Sequence, residues 1–153
     1  MLDLSGTSVT DAGLAHLAKL ERLQTVGLAS TKIGNAGLAR LASRTALQEI
    51  DLSGTRVDDA GLVHLVKLTG LRAVGLARTR VGNAGVARLV AHRGLQKLDL
   101  SGTRVTDACL ARLAKLEQLR ELDLTSTRAT ASRIEALRKA LPLATIRHTT
   151  EEQ

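Results

Sequence analysis

Apolar residues fall in two alternating rhythms along this chain, and the pair of rhythms recurs every 24 residues. Each cycle opens with alternation, as in Leu2 and Leu4 or Val26 and Leu28, the period-two pattern of a short strand with one buried face. The spacing then widens to Leu14, Leu17 and Leu20, which is helical. The cycle runs without insertion or deletion from residue 2 to residue 145. The six strand starts read "LDLSGT" (2), "VGLAST" (26), "IDLSGT" (50), "VGLART" (74), "LDLSGT" (98) and "LDLTST" (122), and the helix starts run from "TDAGLAHL" (10) to "TASRIEAL" (130). No single copy can bury both its strand and its helix. Stacked copies can, with the strands side by side as a parallel sheet about 4.8 Å apart and the helices on the outer, convex side.

Copies one, three and five share D-L-S-G-T with a later D-A, while copies two and four share V-G-L-A and G-N-A-G, so the duplicated unit spans 48 residues. Within a copy, Leu23, Val26, Leu28, Thr31 and Ile33 fit L-x-x-L-x-L-x-x-N-x-L with Thr at the Asn position. Over nearly its whole length the chain therefore resembles the leucine-rich repeats. The string T-x-V-T-D-A-G-L-x-x-L is similar to variants in bacterial leucine-rich-repeat proteins and, with Cys in place of Thr, to the substrate-binding arms of F-box proteins. "GNAGLARLA" is similar to the GALA repeats of bacterial effectors. The resemblance implies a right-handed α/β leucine-rich-repeat solenoid of about six coils over residues 1–145, with a terminal strand and polar tail over 146–153. The chain opens inside a strand with no polar cover, which leads us to expect a piece of a longer solenoid whose first coil frays or self-associates.

The columns of this alignment carry structural expectations. Thr10, Asp58 and Thr106 stand where helix N-caps belong, with Gly34 and Gly82 in the alternate copies, and Asp11, Asp59 and Asp107 add negative charge at the positive end of each helix. Thr7, Thr31, Thr55, Thr79, Thr103 and Thr127 form a ladder whose hydroxyls are expected to satisfy backbone groups of the neighbouring coil. Gly13, Gly37, Gly61 and Gly85 form a small-residue column read as close helix-to-sheet approach, and Cys109 continues it as a buried small hydrophobe. Arg133 in the same column requires a looser sixth coil, and Pro142 stops the last helix before a short strand at Ile146.

Composition narrows the function classes. The chain has 153 residues, 44% of them apolar and 24% charged, which suits a folded domain. It contains no 18-residue apolar run and no signal-peptide pattern, and its one cysteine excludes a disulfide scaffold, so the expectation is a cytoplasmic protein, with a secreted effector left open. A formal charge of +7 draws acidic partners. The complete absence of Phe, Tyr and Trp removes the stacking platforms of single-strand nucleic-acid modules and the commonest interface anchors.

Candidate chemistry is sparse. His16 and His64 share a helix position two coils apart, about 10 Å on strand spacing, too far for one metal ion. His92 reads as part of a connecting segment and His148 as tail. No histidine shares the register of Cys109, there is no G-x-S-x-G elbow, and the Gly-Asn steps are better explained by capping than by phosphate binding. Asp99 and Asp123 become lateral neighbours on the exposed strand face, but Lys97, Arg120 and Arg147 fall close by and make an ionic ladder the simpler reading. No cofactor and no catalytic group is expected.

The outward strand positions read Asp3, Gly27, Asp51, Gly75, Asp99, Asp123, Arg147, a shallow row of small and acidic residues. Just beyond each strand, Lys32, Arg56, Arg80, Arg104 and Arg128 form a cationic ladder about 19 Å long on one rim. The expected site for a protein partner of acidic or mixed charge is therefore Asp51, Arg56, Arg72, Arg78, Arg80, Asp99 and Arg104, on the concave face and its basic rim. Two other readings stand beside this non-catalytic interaction module. One is the substrate-receptor arm of an F-box-like adaptor or effector, by resemblance; the other is electrostatic attachment to nucleic acid, for which no base-reading element is visible.

Overall fold

The structure is a computed structural model that describes residues 1–149; the end of the polar tail lies outside the described residues. Seven strands form one sheet in chain order: β1 (Leu2–Asp3), β2 (Thr25–Gly27), β3 (Glu49–Asp51), β4 (Ala73–Gly75), β5 (Lys97–Asp99), β6 (Glu121–Asp123) and β7 (Thr145–Arg147). All neighbours are parallel and every registered pair is 24 residues apart, from Leu2 with Val26 to Asp123 with Arg147. The repeat in the sequence is the register of the sheet.

The returning segments alternate in kind. The even copies form α1 (Asn35–Leu41) and α2 (Asn83–Leu89). The odd copies form 3-10 helices at Gly13–Lys19 and Gly61–Leu65, and in the fifth copy a 3-10 turn at Asp107–Cys109 runs into α3 (Leu110–Leu113). The sixth copy carries the longest helix, α4 (Ala131–Ala140), which ends just before Pro142. Helix and sheet meet over a single apolar core in which Val26, Ile50, Val74 and Leu98 of the strands face Leu38, Leu62, Val86 and Leu110 of the helices. Each fully buried leucine contributes about 1.5–3 kcal/mol relative to exposure. In the first coil Leu2, Leu4 and Val9 are only partly covered.

Two expectations about the columns are corrected. The threonine hydroxyls do not reach the neighbouring coil; Thr31, Thr55, Thr79 and Thr103 each donate to the carbonyl three residues earlier in their own coil, at 2.6–2.7 Å. At Leu52, Leu76 and Leu100 that carbonyl also accepts the N–H of the same threonine at 3.2 Å, so the hydroxyl is its second donor within one turn. The small-residue column, for its part, makes room for the preceding coil's side chains. A Cβ at Gly37 or Gly85 would come within 2.5 Å of Asp11 Oδ1 or Asp59 Oδ1.

Those carboxylates cap the next coil's helix instead of their own. Gly34 N–H donates to Asp11 Oδ1 at 2.7 Å, and Gly82 and Gly85 N–H donate to Asp59 Oδ1 at 2.6 and 2.9 Å. Thr130 donates both N–H and hydroxyl to Asp107. The even coils return the favour with asparagine: Asp58 N–H donates to Asn35 Oδ1 and Thr106 N–H to Asn83 Oδ1. Asp58 and Thr106 also cap locally, accepting from Ala60 and Ala108 N–H, whereas the 3-10 helix after Thr10 has no side-chain cap. The 48-residue alternation is thus an alternation of two interlocking coil edges.

His92 lies in the connecting segment after α2, as expected, but it is buried there: the side chain is 2% exposed, and among the described residues its Nε2 has no hydrogen-bond partner. It occupies the column of Leu20, Leu68 and Leu116. Burial lowers its pKa, because the charged imidazole would lose its solvation. Cys109 is fully buried as expected, and burial pushes its thiol up to about 11.

Candidate functional site: the concave sheet face and its rim

Short strands with a buried central residue leave two outward rows on the concave face. One is Thr25, Glu49, Ala73, Lys97, Glu121, Thr145, and the other is Asp3, Gly27, Asp51, Gly75, Asp99, Asp123, Arg147. Together they line a hollow of about 420 Å³ that runs the length of the sheet. The aspartates are held in place locally. Asp3 and Asp51 accept from the N–H of Ser5 and Ser53 at 2.9 and 3.0 Å, while Asp99 and Asp123 accept from both the N–H and the hydroxyl of Ser101 and Thr125. These are turns in which the side chain stabilises its own backbone two residues on. The bonds from Ser5 hold the Asp3 carboxyl below the usual carboxylate range.

The glycines in this row are a packing requirement. A Cβ at Gly27 or Gly75 would come within 2.5 Å of Asp3 Oδ1 or Asp51 Oδ1, so each carboxylate leans across the glycine of the next coil. The strict D, G, D, G alternation in the sequence was the signal for this contact. It breaks at Asp123, which follows Asp99 directly and meets Arg147 Nη1 at 3.5 Å instead. Beside it, Lys97 Nζ and Glu121 Oε1 are 2.9 Å apart; their hydrogen bond raises the lysine pKa and lowers that of the glutamate. Arg120 does not join this ladder, because its guanidinium donates to the Glu117 and Leu119 carbonyls.

The rim is built by backbone. Arg56, Arg80, Arg104 and Arg128 donate their N–H to Ile33, Val57, Val81 and Val105 of the preceding coil at 2.9–3.1 Å, and Lys32 donates to Val9 at 3.3 Å. This second ladder fixes one cation per coil along a line. All five side chains are exposed, and among the described residues none lies within ion-pair distance of a carboxylate. Arg80 still acts at longer range: it lowers the pKa of Asp58, after the larger effects of the Asn35 and Ala60 hydrogen bonds.

The seven expected site residues therefore separate into groups. Asp51 and Asp99 line the hollow, and Arg56, Arg80 and Arg104 stand on the rim. Arg78 sits at the turn between them with φ 55°, the left-handed region that Gly6, Gly54 and Gly102 occupy in the odd coils. Its side chain packs towards Gly102, whose added Cβ would meet Arg78 Cγ at 3.2 Å. Arg72 is set apart: its guanidinium lies against Gly94 on the strand-entry side and does not line the hollow. Among the described residues no group of three or more His, Cys, Asp or Glu side chains gathers as a metal site, and no helix is long and apolar enough to cross a membrane.

A family model described as Leucine Rich repeat matches residues 45–66, the end of the second copy and most of the third. Among solved structures, an internalin (InlF) from Listeria monocytogenes str. 4b F2365 superposes with a TM-score of 0.81 at 18% identity over 99% of this chain. The chain has the fold of a leucine-rich-repeat solenoid. It spans 41% of that internalin, and a second, internalin C2 from the same strain, aligns with a TM-score of 0.65 at 19% identity over 96% of this chain and 80% of its own length. No curated protein matches the sequence. At these identities the likeness concerns the fold, which the 24-residue register of the seven strands already requires.

Proposed function

We propose that this leucine-rich-repeat chain is a non-catalytic protein-interaction module that receives a protein partner across the concave face and its basic rim. The observation that carries this reading is the combination of a continuous seven-strand face whose outward side chains take no part in the core with a line of five cations along its edge that have no ion-pair partner among the described residues. Solenoids of this kind present such extended faces to their partners. The single cysteine and its buried thiol suit a reducing compartment such as the cytoplasm. A role as the receptor arm of a larger adaptor or effector rests on the resemblance of the repeats alone.

The test is a photoreactive residue placed at Ala77, on the concave side, or at exposed Ala87 in α2 on the convex side. Capture from lysate should yield a discrete cross-linked protein from position 77 and not from 87. Equal capture from both positions, or capture unaffected by Arg56→Glu, Arg80→Glu and Arg104→Glu together, would show the face and rim to be wrongly assigned. The unpaired rim favours one second reading, attachment to nucleic acid, which predicts retention that collapses steeply between low and high salt whatever the sequence of the acid.

A further inference from the structure

The hollow and its rim carry opposite charge. Although the chain is net positive, the hollow is lined by six carboxylates and two cationic side chains, and both of these, Lys97 and Arg147, are engaged with Glu121 and Asp123. Asp3, Glu49, Asp51 and Asp99 are left with no cation within ion-pair distance among the described residues. The rim beside them carries one cation per coil, none within ion-pair distance of a carboxylate among the described residues. A uniformly acidic partner would complement the rim and meet repulsion in the hollow; a uniformly basic one would do the reverse.

The spacing adds a second constraint. Glycines 27 and 75 intervene in the row, so Asp3, Asp51 and Asp99 recur every second coil, about 10 Å apart. An α-helix returns to the same face after seven residues, a rise of about 10.5 Å, and its diameter of about 10–12 Å suits a three-residue-wide sheet face. The rim cations recur every coil, about 4.8 Å apart, close to the rise of about 4.5–6 Å between helix positions three and four apart.

Resting on the reading of the concave face as a partner site, we infer that its occupant is an amphipathic helix lying along the hollow, with Lys or Arg at every seventh position set against Asp3, Asp51 and Asp99 and an acidic stripe turned towards Arg56, Arg80 and Arg104. Complementary charge of this kind sets orientation and register more than raw affinity. Reversing the helix direction exchanges the side on which the acidic stripe lies, so the charge pattern selects one polarity of the partner.

The probe is a synthetic helical peptide of about 20 residues, long enough for about 30 Å, in an Ala and Gln host. It carries Lys at every seventh position and Glu one and five positions after each Lys. The control peptide has the same composition with its lysines scattered around the helix. Binding to the full chain is followed by calorimetry at low ionic strength. The register peptide should bind about tenfold more tightly than the control, a difference of about 1.4 kcal/mol. Asp51→Asn with Asp99→Asn, which keeps an oxygen for the serine N–H, should abolish that preference. Arg56→Glu, Arg80→Glu and Arg104→Glu together should reject the peptide and accept one in which each Glu is replaced by Lys, a rescue that a misfolded variant cannot give. Equal binding of the two peptides, or a preference that survives Asp51→Asn and Asp99→Asn, overturns the inference. If instead an all-acidic helix binds through the rim and ignores the hollow, this pattern is wrong while the concave face remains a partner site. Absence of binding by every peptide removes the helical occupant, and the face itself is then judged by the cross-linking outcome.

Discussion

Replacing His92 with leucine should stabilise this solenoid, and by more in mild acid than at neutral pH. The side chain is 2% exposed, its Nε2 meets no donor or acceptor, and its column holds Leu68 and Leu116, both fully buried, so a leucine fits the space the stack provides. Leaving a buried polar atom unsatisfied costs about 1–3 kcal/mol. An imperfect hydrophobic swap gives back up to about 1.5 kcal/mol, which leaves a net gain of about 1 kcal/mol near pH 7.5. Burial depresses the folded-state pKa of His92 below its ordinary value of 6.5. Above that value both states hold neutral imidazole and nothing is lost. As the pH falls below it, the unfolded chain takes up the proton first, and the wild type loses stability by up to about 1.4 kcal/mol per pH unit until the folded pKa is reached. The variant lacks this loss, so its advantage should widen towards about pH 5.5. With no aromatic residue in the chain, urea unfolding has to be followed by far-UV circular dichroism. A variant less stable than wild type, or a stability difference identical at the two pH values, would refute the reasoning.

Three further outcomes follow from the coil edges, the turns and the thiol. Asp59→Ala removes the acceptor of two N–H groups in the next coil and should cost about 1–2 kcal/mol, with hydrogen exchange accelerated first at Gly82 and Gly85; unchanged protection there would deny the cap between coils. Ser126→Gly relieves a left-handed residue with φ 54°. The relief of about 1–2 kcal/mol outweighs the added chain entropy of about 0.5–1 kcal/mol, so the urea midpoint should rise slightly. Cys109, buried and with its thiol pushed up to about 11, should resist iodoacetamide in the native state and react once urea unfolds the chain; rapid native labelling would contradict its placement.

The fold was legible because a fixed period leaves a parallel sheet only one register. Val26, Ile50 and Val74 had to stack once each copy was seen to repeat without insertion, and the rows facing outward followed from alternation. The direction of side-chain hydrogen bonds was not legible. A column of threonines is compatible with bonding inside a coil or between coils, and the turn that brings each hydroxyl onto the carbonyl three residues back is visible only in the structure. Asp59 illustrates the same limit: its position near a helix start suggested the dipole of its own helix, yet its oxygen meets the helix of the next coil. His92 was different, because its alignment with Leu68 and Leu116 was on display and pointed to burial. Of the candidate site, the Asp row and the rim could be placed from sequence. The opposition of their charges emerged only when Lys97 and Arg147 were found engaged with Glu121 and Asp123, leaving the hollow's remaining carboxylates free.

The two-coil alternation links stability to the character of the face. In coils one and three an aspartate leans over the glycine of the next coil on the concave side, and in coils one to five an aspartate or asparagine caps the next helix start, so one duplicated unit both locks the coils and spaces the carboxylates at two-coil intervals. The concave habit fails in the sixth coil, although Asp107 still caps that coil's helix start. Asp123 stands where the alternation calls for glycine and draws Arg147 across the face. On the convex side Arg133 stands in the small-residue column, and a cleft of about 360 Å³ lined by Ala111, Ala136 and Leu137 opens between α3 and α4. The regular charge pattern and the small-residue column therefore end in the same coil. Restoring glycine at both positions, Asp123→Gly with Arg133→Gly, should close the cleft and free Arg147, extending the alternating hollow by one coil.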